Sequence, residues 1–348
     1  MTEQVTAVKP QLSIVIVTYT EKRLTDLVEL LDSIQAQSYS EFEVIVVCEK
    51  GQVFELIRKT VERRFPSVKV LESSGIASSG SARNVGILNS VGRLVAFVDD
   101  DAILAKDWAG QLVSAFSRNV NVVGVTGYVF PKWERTPPFW VLPEFSWIFG
   151  YSAWHGWHSL RDVESVWLMN CGFRREALVR AGGFRPEFGA RGDIRSYVTK
   201  VGAEDNELSL RVHRITGMRI VFTPNVVVWH KVKAERLRLS FMLSKAFHVG
   251  RSRGWLRQHY LSDSRFGLDV RIESMVFIDS LRGTLSSLVK EYNPFRWWEI
   301  MAFSFLVLAS TVVGYMSIPG AIPSLFLPYS FRHQGKMPLK QSVILSNK

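Results

Sequence analysis

The sequence is poor in cysteine, with Cys48 and Cys171 alone in 348 residues. Two isolated thiols give neither a disulfide framework nor a cysteine-based metal cluster, as suits a reducing, cytosolic setting. The opening stretch MTEQVTAVKPQ has no apolar core, so no signal peptide is expected. Internal repeats, low-complexity tracts and heptads are missing, which excludes solenoid and coiled-coil organisation. No glycine-rich turn carries Lys-Ser or Lys-Thr at P-loop spacing, which argues against ATPase or GTPase chemistry. Acidic side chains are also outnumbered, 32 Asp and Glu against 43 Lys and Arg, for a net charge of +11.

What is present describes a large globular chain with extra apolar surface: 47% hydrophobic and 22% charged residues. The positive excess is uneven. Between Trp229 and Tyr260 stand eight Lys and Arg (Lys231, Lys233, Arg236, Arg238, Lys245, Arg251, Arg253, Arg257) against Glu235 alone, so +7 of the +11 sits there. Such a block favours phosphates, whether on a membrane surface, a diphosphate ligand or nucleic acid. No recognised nucleic-acid-binding motif accompanies it, so no nucleic-acid partner is expected.

Along the chain, β-branched runs of strand length alternate with helix-like segments. LSIVIVTY (Leu12–Tyr19), FEVIVVC (Phe42–Cys48), VKVLE (Val68–Glu72) and RLVAFV (Arg93–Val98) read as buried strands. Helices are expected over residues 24–35, 53–65, from the turn SSGIASSGSARN towards Asn89, and over 107–118. Alternation of this kind predicts a mostly parallel sheet with helices on both faces, binding ligand beyond the carboxyl ends of its strands. Tyr19, Cys48-Glu49, the turn over 75–81 and Asp99–Asp101 all fall at such ends. The Trp-, Phe- and Pro-rich stretch from Pro131 to Trp167 reads either as an acceptor-side loop or as a packed insertion.

Three stretches carry chemistry. Asp99, Asp100 and Asp101 close a buried strand, and like charges at that position require a counter-ion, a metal or basic side chains. Asp99 and Asp101, at alternate positions, can turn to one side and share a divalent cation, Mg²⁺ or Mn²⁺, with diphosphate oxygens completing its shell; a solvated acidic loop is the plainer reading. GAEDNELSLRVHRITG predicts a helix from about Asp205, with Leu208, Val212 and Ile215 buried and Glu204 and Asp205 at its N-terminus. There the carboxylates either complement the helix dipole or supply a general base. SGSARNVG (Ser79–Gly86) offers a small-residue turn and a helix N-terminus to an anion or a polar ring.

LSIVIVTYT, FEVIVVC, GSARNVGILNSVGRLVAFVDDDA, NCGFRREALVRAGGF and GAEDNELSLRV occur in this order over roughly residues 11–230. Together they resemble family-2 glycosyltransferases of the GT-A fold, inverting enzymes that use nucleotide-diphosphate sugars. The resemblance implies that Thr18 and Tyr19 line the nucleobase pocket and that Arg83 and Asn84 lie near the nucleotide. It implies further that Asp99 and Asp100 face the nucleotide, that Asp101 holds the metal, and that Asp205 is the catalytic base with Glu204 beside it. Asn170, Cys171 and Gly172 match the segment near sugar and acceptor. His230 falls where related enzymes place a further metal ligand, although a lone histidine at a strand end is also an ordinary structural residue. The chain departs from the family at Cys48-Glu49, where an aspartate pair is usual; Glu49 is expected to substitute in binding the base. A UDP-sugar is the favoured donor.

The far end adds a membrane. IMAFSFLVLASTVVGYMSI (Ile300–Ile318) is free of charge over nineteen residues, about the length that spans a bilayer, and Trp297 and Trp298 precede it. Pro319, Gly320 and Pro323 leave a re-entrant hairpin open as well as a span. The basic run before it reads either as a packed helix with a solvated face or as a membrane-surface helix that attracts lipid phosphate. The expected organisation is a GT-A domain over 1–230 (nucleotide half about 11–130, acceptor half about 131–230), a basic helical region over 231–298, a membrane segment over 299–330 and a polar tail over 331–348. The expected activity is transfer to a sugar on polyprenyl or dolichyl phosphate at the cell membrane, with the catalytic domain facing the cytosol and oligomerisation possible. A polyprenyl-phosphate sugar synthase and a non-catalytic membrane scaffold are the alternatives.

Overall fold

The computed structural model describes residues 10–48, 50–73, 78–185, 202–260, 271–291 and 293–318. Strands β1 (Leu12–Thr18), β2 (Phe42–Cys48), β3 (Lys69–Glu72) and β4 (Leu94–Asp99) alternate with helices α1 (Leu24–Gln35), α2 (Gln52–Arg64) and α3 (Ser79–Asn89). All seven residues of β1 are buried, because helices cover both faces of the sheet and no side needs to be polar. β1 pairs in parallel with β2 and β4, and β2 with β3. The register sets Thr18 beside Cys48, Cys48 beside Glu72 and Val17 beside Asp99, so the carboxyl ends of these strands are level. That level edge is the floor of the crevice.

The sheet continues through β5 (Ala102–Leu104), β6 (Val122–Trp133), β7 (Arg161–Asp162), β8 (Asn170–Arg174) and β9 (Arg219–Val232), with α4 (Trp108–Ser117), α5 (Arg175–Arg180) and α6 (Glu204–Thr216) outside it. The strand order is β3-β2-β1-β4-β8-β6-β9-β5, with β7 on β9. The first four strands are parallel as expected; β8 then enters antiparallel to both β4 and β6, making the sheet mixed. β6 and β9 run parallel with a register shift after Gly127, where a Cβ would meet the Val226 carbonyl at 1.9 Å. Only glycine fits there. β5 folds back antiparallel on β9 and sets Ala102 opposite His230. This return brings a residue far along the chain to the acidic triplet.

One face of the sheet buries Leu27, Leu30, Ile57, Trp108 and Leu112 from α1, α2 and α4; the other buries Ile87, Leu178, Leu208 and Val212 from α3, α5 and α6. Leu208 and Val212 lie inward as expected, but Ile215 is 38% exposed, because α6 reaches its C-terminal glycine beyond the edge of the core.

Three helices follow: α7 (Leu239–Tyr260), α8 (Arg271–Lys290) and α9 (Pro294–Met316). The aromatic-rich stretch proves to be a packed insertion in its first half. Leu142, Phe145, Ile148, Phe149 and Tyr151 are buried with Met242 and Ala246 of α7 and with Ile300, Phe303 and Val307 of α9. It therefore fastens the C-terminal helices to the sheet. Leu239 is 40% exposed at the first turn of α7. Glu49, residues 319–330 of the expected membrane segment and the tail over 331–348 lie outside the described residues.

Candidate active site

The triplet divides its three carboxylates between two tasks. Asp99 and Asp101 lie on one side with His230; one ligand atom from each falls within 4.8 Å of the others. His230 Nε2 is 2.9 Å from Asp101 Oδ1 and 3.9 Å from Asp99 Oδ2. Asp100 turns the other way, onto Arg23 Nη1 at 2.5 Å. The counter-ions the triplet requires are thus partly built in, since Arg23 also reaches Asp101 Oδ2 at 3.3 Å and Arg236 reaches it at 3.6 Å.

Burial pushes the Asp100 carboxyl up to about 6, against the pull of Arg23. Asp101 is equally buried, but His230, Arg23 and Arg236 together hold it well below the usual carboxylate range. It is therefore ionised at neutral pH. The partners of the Asp101 oxygens are the cationic groups of His230, Arg23 and Arg236, and His230 Nδ1 is buried without a hydrogen bond. Buried acceptors are normally satisfied. Two carboxylates and an imidazole converging within this distance fit a divalent cation, and the nitrogen donor suits Mn²⁺ better than Mg²⁺.

Across the crevice, α6 begins on Ala203, whose φ of 72° is in the left-handed region. A non-glycine residue there is strained, and strain of this kind collects at functional positions. The turn presents Glu204 and Asp205 at the helix N-terminus. Asp205 Oδ1 accepts from its neighbour Asn206, at 2.9 Å from the backbone N–H and 2.8 Å from the side chain. Burial, then the Glu204 charge, raise the Asp205 carboxyl above its ordinary value, while Asn206 and Arg253 oppose the rise. Glu204 accepts from Ser79 Oγ and Arg83 Nη1, both at 3.2 Å. Arg83 also reaches Asp99 Oδ1 at 3.6 Å. Arg83 is therefore a bridge that fixes the acid at the helix start relative to the triplet.

The remaining expected residues fall in two groups. Thr18 is buried at the end of β1 beside Asp99's strand, and Tyr19 packs partly buried against Val17, Val47 and Ala82, in the position the resemblance assigns to a base pocket. Cys48 is buried, and burial pushes its thiol up to about 12. Asn84, by contrast, exchanges two 2.7 Å hydrogen bonds with the Phe184 backbone. It clamps the turn at Gly183 (φ 68°), where a Cβ would strike Asn84 Oδ1 at 2.3 Å. Asn170 is likewise saturated: it accepts from Trp108 Nε1 at 2.8 Å and donates to the Tyr128 and Val226 carbonyls at 2.9 and 3.0 Å. Cys171 is buried in β8, and Gly172 gives room to Leu112. Asn84 and Asn170 are thus occupied within the wall, while the Cys171 thiol, pushed up by burial, also feels Arg83, Asp205 and Asp99.

The sequence reading did not place Arg23 at the site, and it had Arg236 and Lys245 only as members of the basic block. Lys245 is open to solvent, yet the surrounding protein and Arg236 lower its pKa, with Glu204, Asp205 and Asp99 opposing. The signal was there in the need of three adjacent carboxylates for cations, and in the basic block downstream of His230.

Residues 13–179 match the family model "Glycosyl transferase family 2". A glucosyl-dolichyl phosphate glucuronosyltransferase of Haloferax volcanii is 27% identical over 249 residues, which are 70% of this chain and 76% of that protein. The succinoglycan biosynthesis protein ExoM of Rhizobium meliloti is 27% identical over 175 residues, 50% of this chain and 52% of that protein. In fold, the chain resembles a mannosyltransferase of Pyrobaculum calidifontis solved in complex with GDP-Man and Mn²⁺, with a TM-score of 0.53 at 16% identity over 88% of both chains. Over residues 13–179, a span that includes the acidic triplet, the chain matches glycosyl transferase family 2.

Proposed function

We propose that this protein moves a sugar, with inversion, from a nucleotide-diphosphate sugar to a saccharide carried on polyprenyl or dolichyl phosphate at the cytosolic face of the cell membrane. The observation that carries the reading is the convergence of Asp99, Asp101 and His230, with Arg83 tying Asp99 to Glu204, the neighbour of Asp205. Asp99, Asp101 and His230 would hold a divalent cation, which supplies Lewis-acid stabilisation of charge growing on the leaving diphosphate. Asp205 takes the proton from an acceptor hydroxyl, whose oxygen attacks the anomeric carbon opposite that diphosphate. One displacement of this kind inverts the centre without a protein nucleophile. The Arg83 bridge from Glu204 to Asp99 keeps base and donor site in register.

The acceptor class rests on two supports: the dolichyl-linked substrate named for the Haloferax relative, and the apolar helix α9. α9 is long and apolar enough to cross a membrane, with a third of its apolar window buried against the protein. A UDP-sugar remains the favoured donor, with Tyr19 at the base. The test uses full-length protein in detergent, a panel of UDP- and GDP-sugars and glucosyl-dolichyl phosphate as the acceptor probe. Asp205→Asn is expected to lower turnover by about 10²–10⁴-fold, the usual weight of a general base, with donor affinity unchanged. Turnover near the wild-type rate in Asp205→Asn contradicts the reading and favours a phosphate oxygen, already anionic, as the acceptor.

A further inference from the structure

The helix α7 lies directly over the start of α6. Ser252 is buried there, with its Oγ 3.4 Å from the position of a Cβ on Gly202, and Leu256 packs with Leu210, Ala203 and Trp255. Residues seven and eleven positions apart share a helix face, so Lys245, Ser252 and Leu256 form one stripe. Lys245 stands about 10 Å along that stripe from Ser252, at 1.5 Å per residue. Its side chain is open to solvent and interacts electrostatically with Arg236, Glu204, Asp205 and Asp99. Arg253, next to Ser252, acts on Asp205 in the same way. Other cations of the basic block are matched by acids: Lys231 binds Asp26 and Glu29 at 2.7 and 2.8 Å, and Lys233 binds Asp26 at 3.1 Å. Among the described residues, Lys245 and Arg253 make no hydrogen bond or close ion pair. Lys245 feels the like charge of Arg236 together with the carboxylates of Glu204, Asp205 and Asp99, and Arg236 itself stands 3.6 Å from Asp101.

We propose that Lys245 and Arg253, with Arg236, form a phosphate-binding site on the crevice side of α7. The ligand class is a phosphate or diphosphate ester, and the inference rests on the reading of the crevice as a transfer site. Two sources share that chemistry: the donor's diphosphate and the phosphate of a lipid carrier. α7 is fastened to the apolar α9, since a Cβ on Gly250 would meet the Thr311 carbonyl at 1.9 Å and one on Gly314 the Phe247 carbonyl at 1.9 Å. Those contacts fall on the face of α7 opposite Lys245 and Ser252, so a carrier's phosphate would reach the stripe from around the helix.

The experiment compares wild-type full-length protein with Lys245→Gln, Arg253→Gln and Lys245→Arg. Calorimetry with Mn²⁺ measures UDP and GDP binding, and flotation measures binding to neutral nanodiscs holding dolichyl phosphate or, as a charge control, phosphatidylglycerol. A drop of about tenfold or more in dolichyl phosphate affinity for both Gln variants, rescued by Lys245→Arg, supports the site with the carrier as its ligand. The same drop for UDP or GDP supports it with the donor as ligand. Affinities within twofold of wild type on both arms overturn it, as does an equal loss for phosphatidylglycerol, which marks general surface charge. Failure of the wild-type protein to bind either nucleotide with Mn²⁺ would strike the transfer-site reading instead, and the lipid arm would still decide the phosphate site.

Discussion

At the scale of residues, the site works by setting unlike environments around similar carboxylates. Asp101 is held ionised by His230 and two guanidinium groups, while Asp205 is raised by burial and by Glu204. A base must be deprotonated to act, so activity should fall on the acid side through an apparent pKa above the ordinary aspartate value. Glu204→Gln removes the charge that raises it and should move that limb of the kcat/KM profile to lower pH. Arg253→Gln removes an opposing cation and should move it to higher pH. A pH–rate profile of the three proteins checks both signs; shifts in the opposite senses would remove Asp205 from the role of base. Asn84 and Asn170 show the limit of motif reading at this scale. Their types matched positions near nucleotide and sugar, but hydrogen bonds to Phe184, Trp108, Tyr128 and Val226 occupy their amides. Those partners come from distant segments, and no local pattern announces them.

At the scale of elements, the parallel half was legible because each buried strand and its following helix are written locally in period and composition. The return of β5 onto β9 was not, since it joins Ala102 to His230 across more than a hundred residues of chain. In the sequence a histidine at the end of an apolar run reads as structural or as a ligand alike, and the pairing sets it beside Asp101. The α7–α9 contact is similar. Gly250 and Gly254 on one helix, and Gly314 on the other, permit backbone approach of the kind that small residues four apart provide. Gly250→Leu or Gly314→Leu should force the helices apart and destabilise the protein by about 1–3 kcal/mol, the usual range for overpacking. Thermal unfolding in detergent measures this. Unchanged melting would mean that the two helices do not pack closely in solution.

At the scale of the whole molecule, a catalytic sheet is joined through an aromatic insertion to helices whose outer faces stay apolar. On α8, Leu285 and Val289 are 64% and 81% exposed; on α9, Trp298 and Phe305 are each 71% exposed. A face this large and apolar on a soluble surface is unusual. Replacing Leu285 and Phe305 together with Glu should cut flotation with lipid vesicles at least tenfold while leaving nucleotide binding intact, because neither residue lies near the crevice. Retained flotation would place membrane contact elsewhere in the chain. The central claim, however, concerns the crevice, and it is tested most directly by thermal stability of the full-length protein against UDP- and GDP-sugars with Mn²⁺, Mg²⁺ or EDTA. Ligand at about 100 times Kd stabilises the native state by roughly 2.7 kcal/mol. The account predicts a shift for one nucleotide that is largest with Mn²⁺ and is abolished by EDTA, by Asp101→Asn and by His230→Ala. A shift of equal size in EDTA and in both variants would contradict it.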